Sequence, residues 1–212
     1  MRLFQFHYSP FADKVRTCLA LKGLSAELVE VKYLQRAELV KVSGGVGIPV
    51  LVDGTAVVSD SPRIVEYLDA KGTPWLRSDP LSLVLEQWAE SVLEDTAFRL
   101  ACPGLEDLIG REQGDEAKAM FRLVKERKYG AGIVATWRAE QQKWLAETKN
   151  LLTPIARVVS EHDWVLRGGK PSVADAAIAG QLHMVDCALP GLLASELPAL
   201  GKWVQRLRSF RG

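Results

Sequence analysis

Residues 47–72 read GIPVLVDGTAVVSDSPRIVEYLDAKG, and this stretch decides the fold class. Val50-Leu51-Val52 and Ala56-Val57-Val58 are short apolar runs separated by a turn at Asp53-Gly54, which predicts a two-strand hairpin. Pro49 ahead of the first run suits a strand start, since proline donates no hydrogen bond to the ladder. Asp60-Ser61-Pro62 then opens a helix, with Ser61 read as N-cap and Pro62 at N1, where a missing N–H costs nothing. Ile64, Val65 and Leu68 share one face of that helix, and Gly72 ends it.

Toward the N-terminus the same punctuation recurs. Residues 2–6 are a short apolar strand, and Ser9-Pro10 caps a helix running through Val15, Leu19 and Leu21 to Gly23. A second strand is expected at 28–31 and a weak helix at 33–42, ending in SGGVG. The order is βαβαββα, an α/β domain with a small mixed sheet flanked by helices. Toward the C-terminus residues 74–79 read as a linker, and beyond it strand signals cease. Helical periodicity runs over 81–100, again from Trp137 to Val159, then from Ser172 and from Pro198. The chain therefore divides into an α/β domain at 1–73 and an all-α helical bundle at 80–212.

Charge and composition exclude several functions. Of 212 residues, 27 are Lys or Arg and 26 are Asp or Glu, so no basic surplus points to a nucleic acid. The longest uncharged stretch, 42–52, is too short to cross a bilayer, and Asp13 and Lys14 interrupt any early signal-like run. No membrane association is expected. Cys18, Cys102 and Cys187 form no CxxC pair, which fits a reducing, cytoplasmic setting. His7, His162 and His183 have no ligand spacing, so no metal is expected.

Three positions can carry chemistry. Ser9 stands at a helix N-terminus, where free amides and the helix dipole favour an anion; it either donates to a thiolate or only caps its helix. If the Ile48–Pro49 bond is cis, the Ile48 backbone could pair with a peptide-like ligand; otherwise Pro49 merely starts a strand. Asp60 and Ser61 either cap a helix or grip the ammonium and carboxylate of an α-amino acid.

The order of these features resembles the N-terminal half of glutathione S-transferases. Residues 47–72 are similar to that family's "PVL…ESxxIxxYL" segment, and SPFADKVRTCLALKGL (9–24) to its "SPFxxKVRxxLxxKGL". WVLRGGKPSVADAAIAGQL (164–182) resembles its "G…SxADxxxxxxL" helix start, whereas about 105–150 match nothing. The resemblance is to serine-type cytosolic members with bacterial or tau-like N-terminal motifs. It implies a thioredoxin-like domain that binds glutathione as co-substrate, with Ser9 donating to its sulfur. Ile48 would bind the cysteinyl backbone with Pro49 cis, and Asp60 and Ser61 the γ-glutamyl end. Arg36 or Lys41 would replace the usual lysine, which is absent at Gly47, at the glycine carboxylate.

The resemblance further implies an acceptor pocket around Tyr8, Phe11, Glu94, Phe98 and Arg99, taking a small hydrophobic electrophile. Some classes use a tyrosine as thiol partner, but it normally stands several residues before the serine position, so Ser9 is preferred to Tyr8. Ser172 and Asp175 match a capping motif important for folding. A homodimer and a role in detoxification are also implied. The unusual glycine run before Pro49 keeps an alternative open, a non-catalytic binding or assembly module on the same fold.

Overall fold

A computed structural model of the chain describes residues 1–210. Four short strands form one mixed sheet: β1 (Arg2–Gln5), β2 (Glu27–Glu30), β3 (Val50–Asp53) and β4 (Ala56–Ser59), in the order β2-β1-β3-β4. β1 is parallel to β2 and antiparallel to β3, with Leu3 opposite both Leu28 and Leu51. A parallel pair needs a crossover, and α1 (Pro10–Leu21) supplies it. α2 (Ala37–Ser43) joins β2 to β3, and α3 (Ser61–Asp69) follows β4 and packs against α1. The βαβαββα order read from the sequence is the order found.

From Pro80 to Ser209 all regular elements are helical: α4 (Pro80–Trp88), a π-helical turn (Ala89–Leu93), α5 (Glu94–Gln113), α6 (Asp115–Tyr129), α7 (Ile133–Ala139), α8 (Gln141–Glu161), α9 (Val173–Ala188), α10 (Leu192–Glu196) and α11 (Pro198–Ser209). The architecture is a thioredoxin-like α/β unit followed by a helical bundle. α9 is buried almost throughout, as expected for a helix apolar on all sides, and packs against α1, α4 and α5. Its Ser172 and Asp175 form a capping box. Asp175 also accepts the Val165 amide at 2.9 Å, tying the preceding loop to the helix start.

Several boundaries differ from expectation. Ser61 is the first helical residue of α3 rather than its N-cap; Asp60 takes that place with φ 79° and no side-chain cap bond. Pro80 belongs to α4, because the Asp79 carboxylate accepts the Leu81 amide at 2.8 Å and so begins the helix earlier. The periodicity over 81–100 is interrupted by the π turn, and that from Trp137 to Val159 by a break at Glu140, because an apolar stripe can continue across two helices that face the same core. α6 and α10 carry no apolar stripe strong enough to be read.

Candidate active site

The loop after β1 turns sharply: the Ser9 amide donates to the Phe6 carbonyl at 3.0 Å. Ser9 is extended (φ −72°, ψ 126°), and its Oγ accepts from the Ala12 amide at 3.4 Å. That cap uses the hydroxyl as acceptor, leaving its own hydrogen to donate. Tyr8 is adjacent, stacked on Phe6 at a 5.3 Å centroid separation, and its hydroxyl is buried with no hydrogen-bond partner among the described residues. Burial, helped by Tyr33 and Glu30, pushes the Tyr8 phenol far above its ordinary value, so it is a neutral donor at physiological pH.

A cavity of about 740 Å³ is lined by both Tyr8 and Ser9. Of the residues expected to carry function, Tyr8, Ser9, Phe11, Arg36, Glu94 and Phe98 line it. Arg99 does not. One position beyond Phe98 on α5, it is rotated about 100° round the helix. Its guanidinium lies 4.8 Å over Trp144 and bonds Asp95 at 2.8 Å. Arg36 hydrogen-bonds the Tyr33 and Val46 carbonyls at 3.2 and 2.8 Å, fastening the loop before β3 to the end of the β2–α2 connection. Lys41 is exposed on α2 and is not part of the lining.

Ile48, Pro49, Asp60 and Ser61 also lie outside this cavity's lining. The Ile48–Pro49 bond is cis. Asp60 is the one non-glycine residue with positive φ among the described residues, a conformation that costs about 1–3 kcal/mol and often marks functional positions. Ser61 is only 2% exposed and donates its hydroxyl to Glu90 at 3.3 Å. Glu90 also pairs with the fully buried Lys14, which bonds Glu86 at 2.8 Å. The Ser61 side chain is thus committed to a buried charge network between α1, α3 and α4. What remains for a carboxylate here are the backbone amides opening α3.

The contribution of α6 to the lining was not anticipated. α6 contributes Met120, Phe121, Lys125, Lys128 and Tyr129. Lys125 lies over the rings of Phe98 and Phe121 at 4.8 and 5.0 Å. Burial pushes the Lys125 ammonium down and the Glu94 carboxyl up. A signal for α6 exists: Gly114 and Gly130 bracket it, with Asp115-Glu116 in the first turn and Arg127-Lys128 in the last, complementing the helix dipole.

The glutathione S-transferase N-terminal domain profile matches residues 3–74, and the family's C-terminal domain profile residues 116–209. Glutathione S-transferase Z2 of Arabidopsis thaliana is 33% identical over 189 residues, covering 86% of this chain and 75% of that protein. The chain belongs to the glutathione S-transferase family. A probable glutathione S-transferase of Nicotiana tabacum is 30% identical over 144 residues, covering 62% of this glutathione S-transferase family chain and 63% of its own, so less than two thirds of that relative is spanned. A glutathione S-transferase structure from Rhodospirillum rubrum F11 superposes with a TM-score of 0.68 at 22% identity, over 99% of this chain and 88% of that one, a likeness of fold. The family is one of enzymes, with glutathione as its co-substrate. Among the described residues no helix is long and apolar enough to cross a membrane.

Proposed function

We propose that this protein is a glutathione transferase that ionises the glutathione thiol beside Ser9 and delivers it to an electrophile in the adjoining cavity. The observation that carries the reading is the placement of the Ser9 hydroxyl, at the start of α1 and on the wall of the cavity that α5 and α6 close. A thiol of pKa about 8.5 is only a few per cent ionised at neutral pH, and bringing it to about 6.5 requires about 2.7 kcal/mol of preferential stabilisation of the anion. A hydroxyl donor to a charged group contributes about 1.5–3 kcal/mol and the helix terminus adds to it, so no general base is needed.

In this reading the tripeptide runs from Ser9 past the Ile48 backbone, beside cis Pro49, to Asp60 and the first amides of α3. Its glycine end lies toward Arg36, with Lys41 the more distant cation. The α/β domain, 1–73, holds glutathione, and the helical domain, 80–212, holds a small, largely hydrophobic acceptor, joined by 74–79. The same reading includes a cytoplasmic detoxifying role and a homodimer. Exposed Val57 on β4 with Leu81 and Val84 on α4 supports the dimer, since a second copy would cover these side chains.

The test is the ultraviolet titration of the thiolate in the binary complex. With Ser9→Ala its pKa is expected to rise by about 1–2 and kcat/KM to fall roughly 10–100-fold; an unchanged titration rejects the role. The commitment of the Ser61 hydroxyl to Glu90 favours a second reading, a non-catalytic module on this fold. That reading gains if the protein passes unretained over immobilised glutathione.

A further inference from the structure

The charge of the chain is nearly balanced, at +1, but the charge of the cavity is not. Arg36, Lys125 and Lys128 line it, against Glu94 alone among acidic residues. Each cation rests on an aromatic face: Arg36 over Phe6 and Tyr33 at 5.2 and 4.9 Å, Lys125 over Phe98 and Phe121, and Lys128 over Tyr129 at 4.7 Å. Arg36 is bonded to two carbonyls. Among the described residues neither Lys128 nor Lys125 has a carboxylate within 4.0 Å of its ammonium, and the two differ in burial. Lys125 is half-buried, whereas Lys128 is exposed.

A half-buried ammonium without a counter-ion is an unmet requirement of the free protein. Ring faces only partly replace its hydration. An anion entering past Lys128 and settling against Lys125 would complete the pairing in a setting where water screens poorly. We propose that the acceptor taken by this cavity is an anionic electrophile, an aromatic or long apolar body carrying a carboxylate that pairs with Lys125. This rests on the transferase reading of the same cavity and narrows its substrate class. Burial lowers the proton affinity of Lys125, and a paired carboxylate would oppose that shift.

The test uses 4-chloro-3-nitrobenzoate and its neutral amide, 4-chloro-3-nitrobenzamide. In either, the glutathione thiolate forms a carbon–sulfur bond at the ring carbon bearing chlorine, and chloride leaves with the carbon–chlorine electron pair. The ratio of kcat/KM for carboxylate over amide, each divided by its uncatalysed rate constant with glutathione because the amide activates the ring more strongly, is expected to be about tenfold or more for the unaltered protein. It should fall to near parity in Lys125→Gln and persist in Lys125→Arg. Calorimetric affinities of the two compounds for the protein give the same comparison without turnover. A ratio at or below one in the unaltered protein, a ratio unmoved in Lys125→Gln, or binding of neither compound overturns the proposal. Glutathione affinity is measured in parallel. Loss of glutathione binding with the carboxylate preference intact removes the transferase reading and leaves the anion site; glutathione bound with no preference removes the anion site alone.

Discussion

Tyr8 and Ser9 line one cavity, and the environments of their hydroxyls separate their roles. The Ser9 oxygen accepts from the Ala12 amide, which leaves its hydrogen free to donate. The Tyr8 hydroxyl is buried with no partner, a condition that costs about 1–3 kcal/mol. Tyr8→Phe should therefore be neutral or raise stability by about 1 kcal/mol in denaturant melts, while the titration of bound thiolate stays put. A thiolate pKa that rises in Tyr8→Phe would transfer the donor role to the phenol. Ser9, with its cap and Pro10, was legible because capping is a contact between residues three apart. That Tyr8 lacks a partner was not legible, since it depends on what the rest of the chain brings near.

At the scale of elements, the contact between α1 and α9 holds the start of the site. Gly180 is where α9 comes nearest: a Cβ there would collide with the Pro10 carbonyl oxygen, one residue from Ser9. Alanine is normally the better helix former by about 1 kcal/mol, yet here the obstacle is backbone at the first turn of α1, which cannot swing aside as a side chain could. Gly180→Ala is expected to destabilise by about 2–3 kcal/mol and to lower kcat/KM by displacing Ser9. Ala179→Gly, one position away on the same helix, should cost the intrinsic propensity and one buried methyl, about 1–2 kcal/mol together, with activity kept. Equal activity losses in the two variants would refute the account. The helix itself was readable from the capping box at Ser172 and Asp175, but nothing in the run of small residues says which one meets α1. Arg99 illustrates the same gap: α5 was expected to present it to the acceptor, whereas one step of rotation puts it over Trp144.

For the whole molecule, the join between the α/β unit and the bundle is a latch at Asp69, at the end of α3. Its carboxylate accepts amides of Trp75, Leu76 and Arg77 at 2.9, 3.0 and 3.3 Å and pairs with Lys22, while the Leu76 carbonyl accepts the Val173 amide at the head of α9. Burial alone would raise the Asp69 pKa, but these donors outweigh it and hold the value below the ordinary 3.8. The unfolded chain then takes up this proton more readily than the folded one, so the stabilisation is complete above about pH 4 and is lost as pH falls through the lower folded value. Asp69→Asn should cost about 2 kcal/mol at neutral pH, and its deficit relative to the unaltered protein should shrink under acid conditions. A deficit independent of pH would mean the carboxylate charge contributes nothing. Sequence alone was enough for the order βαβαββα, for the helix start that holds Ser9, for that of α3 to within one residue, and for a helical second half, because turns, caps and apolar periodicity act over a few residues. Only tertiary packing decided that Lys125 and Lys128 line the same cavity as Ser9, that Ser61 turns inward to Glu90, and that the two halves meet at a glycine. Those facts depend on which faces of distant helices come together, and no local spacing encodes them.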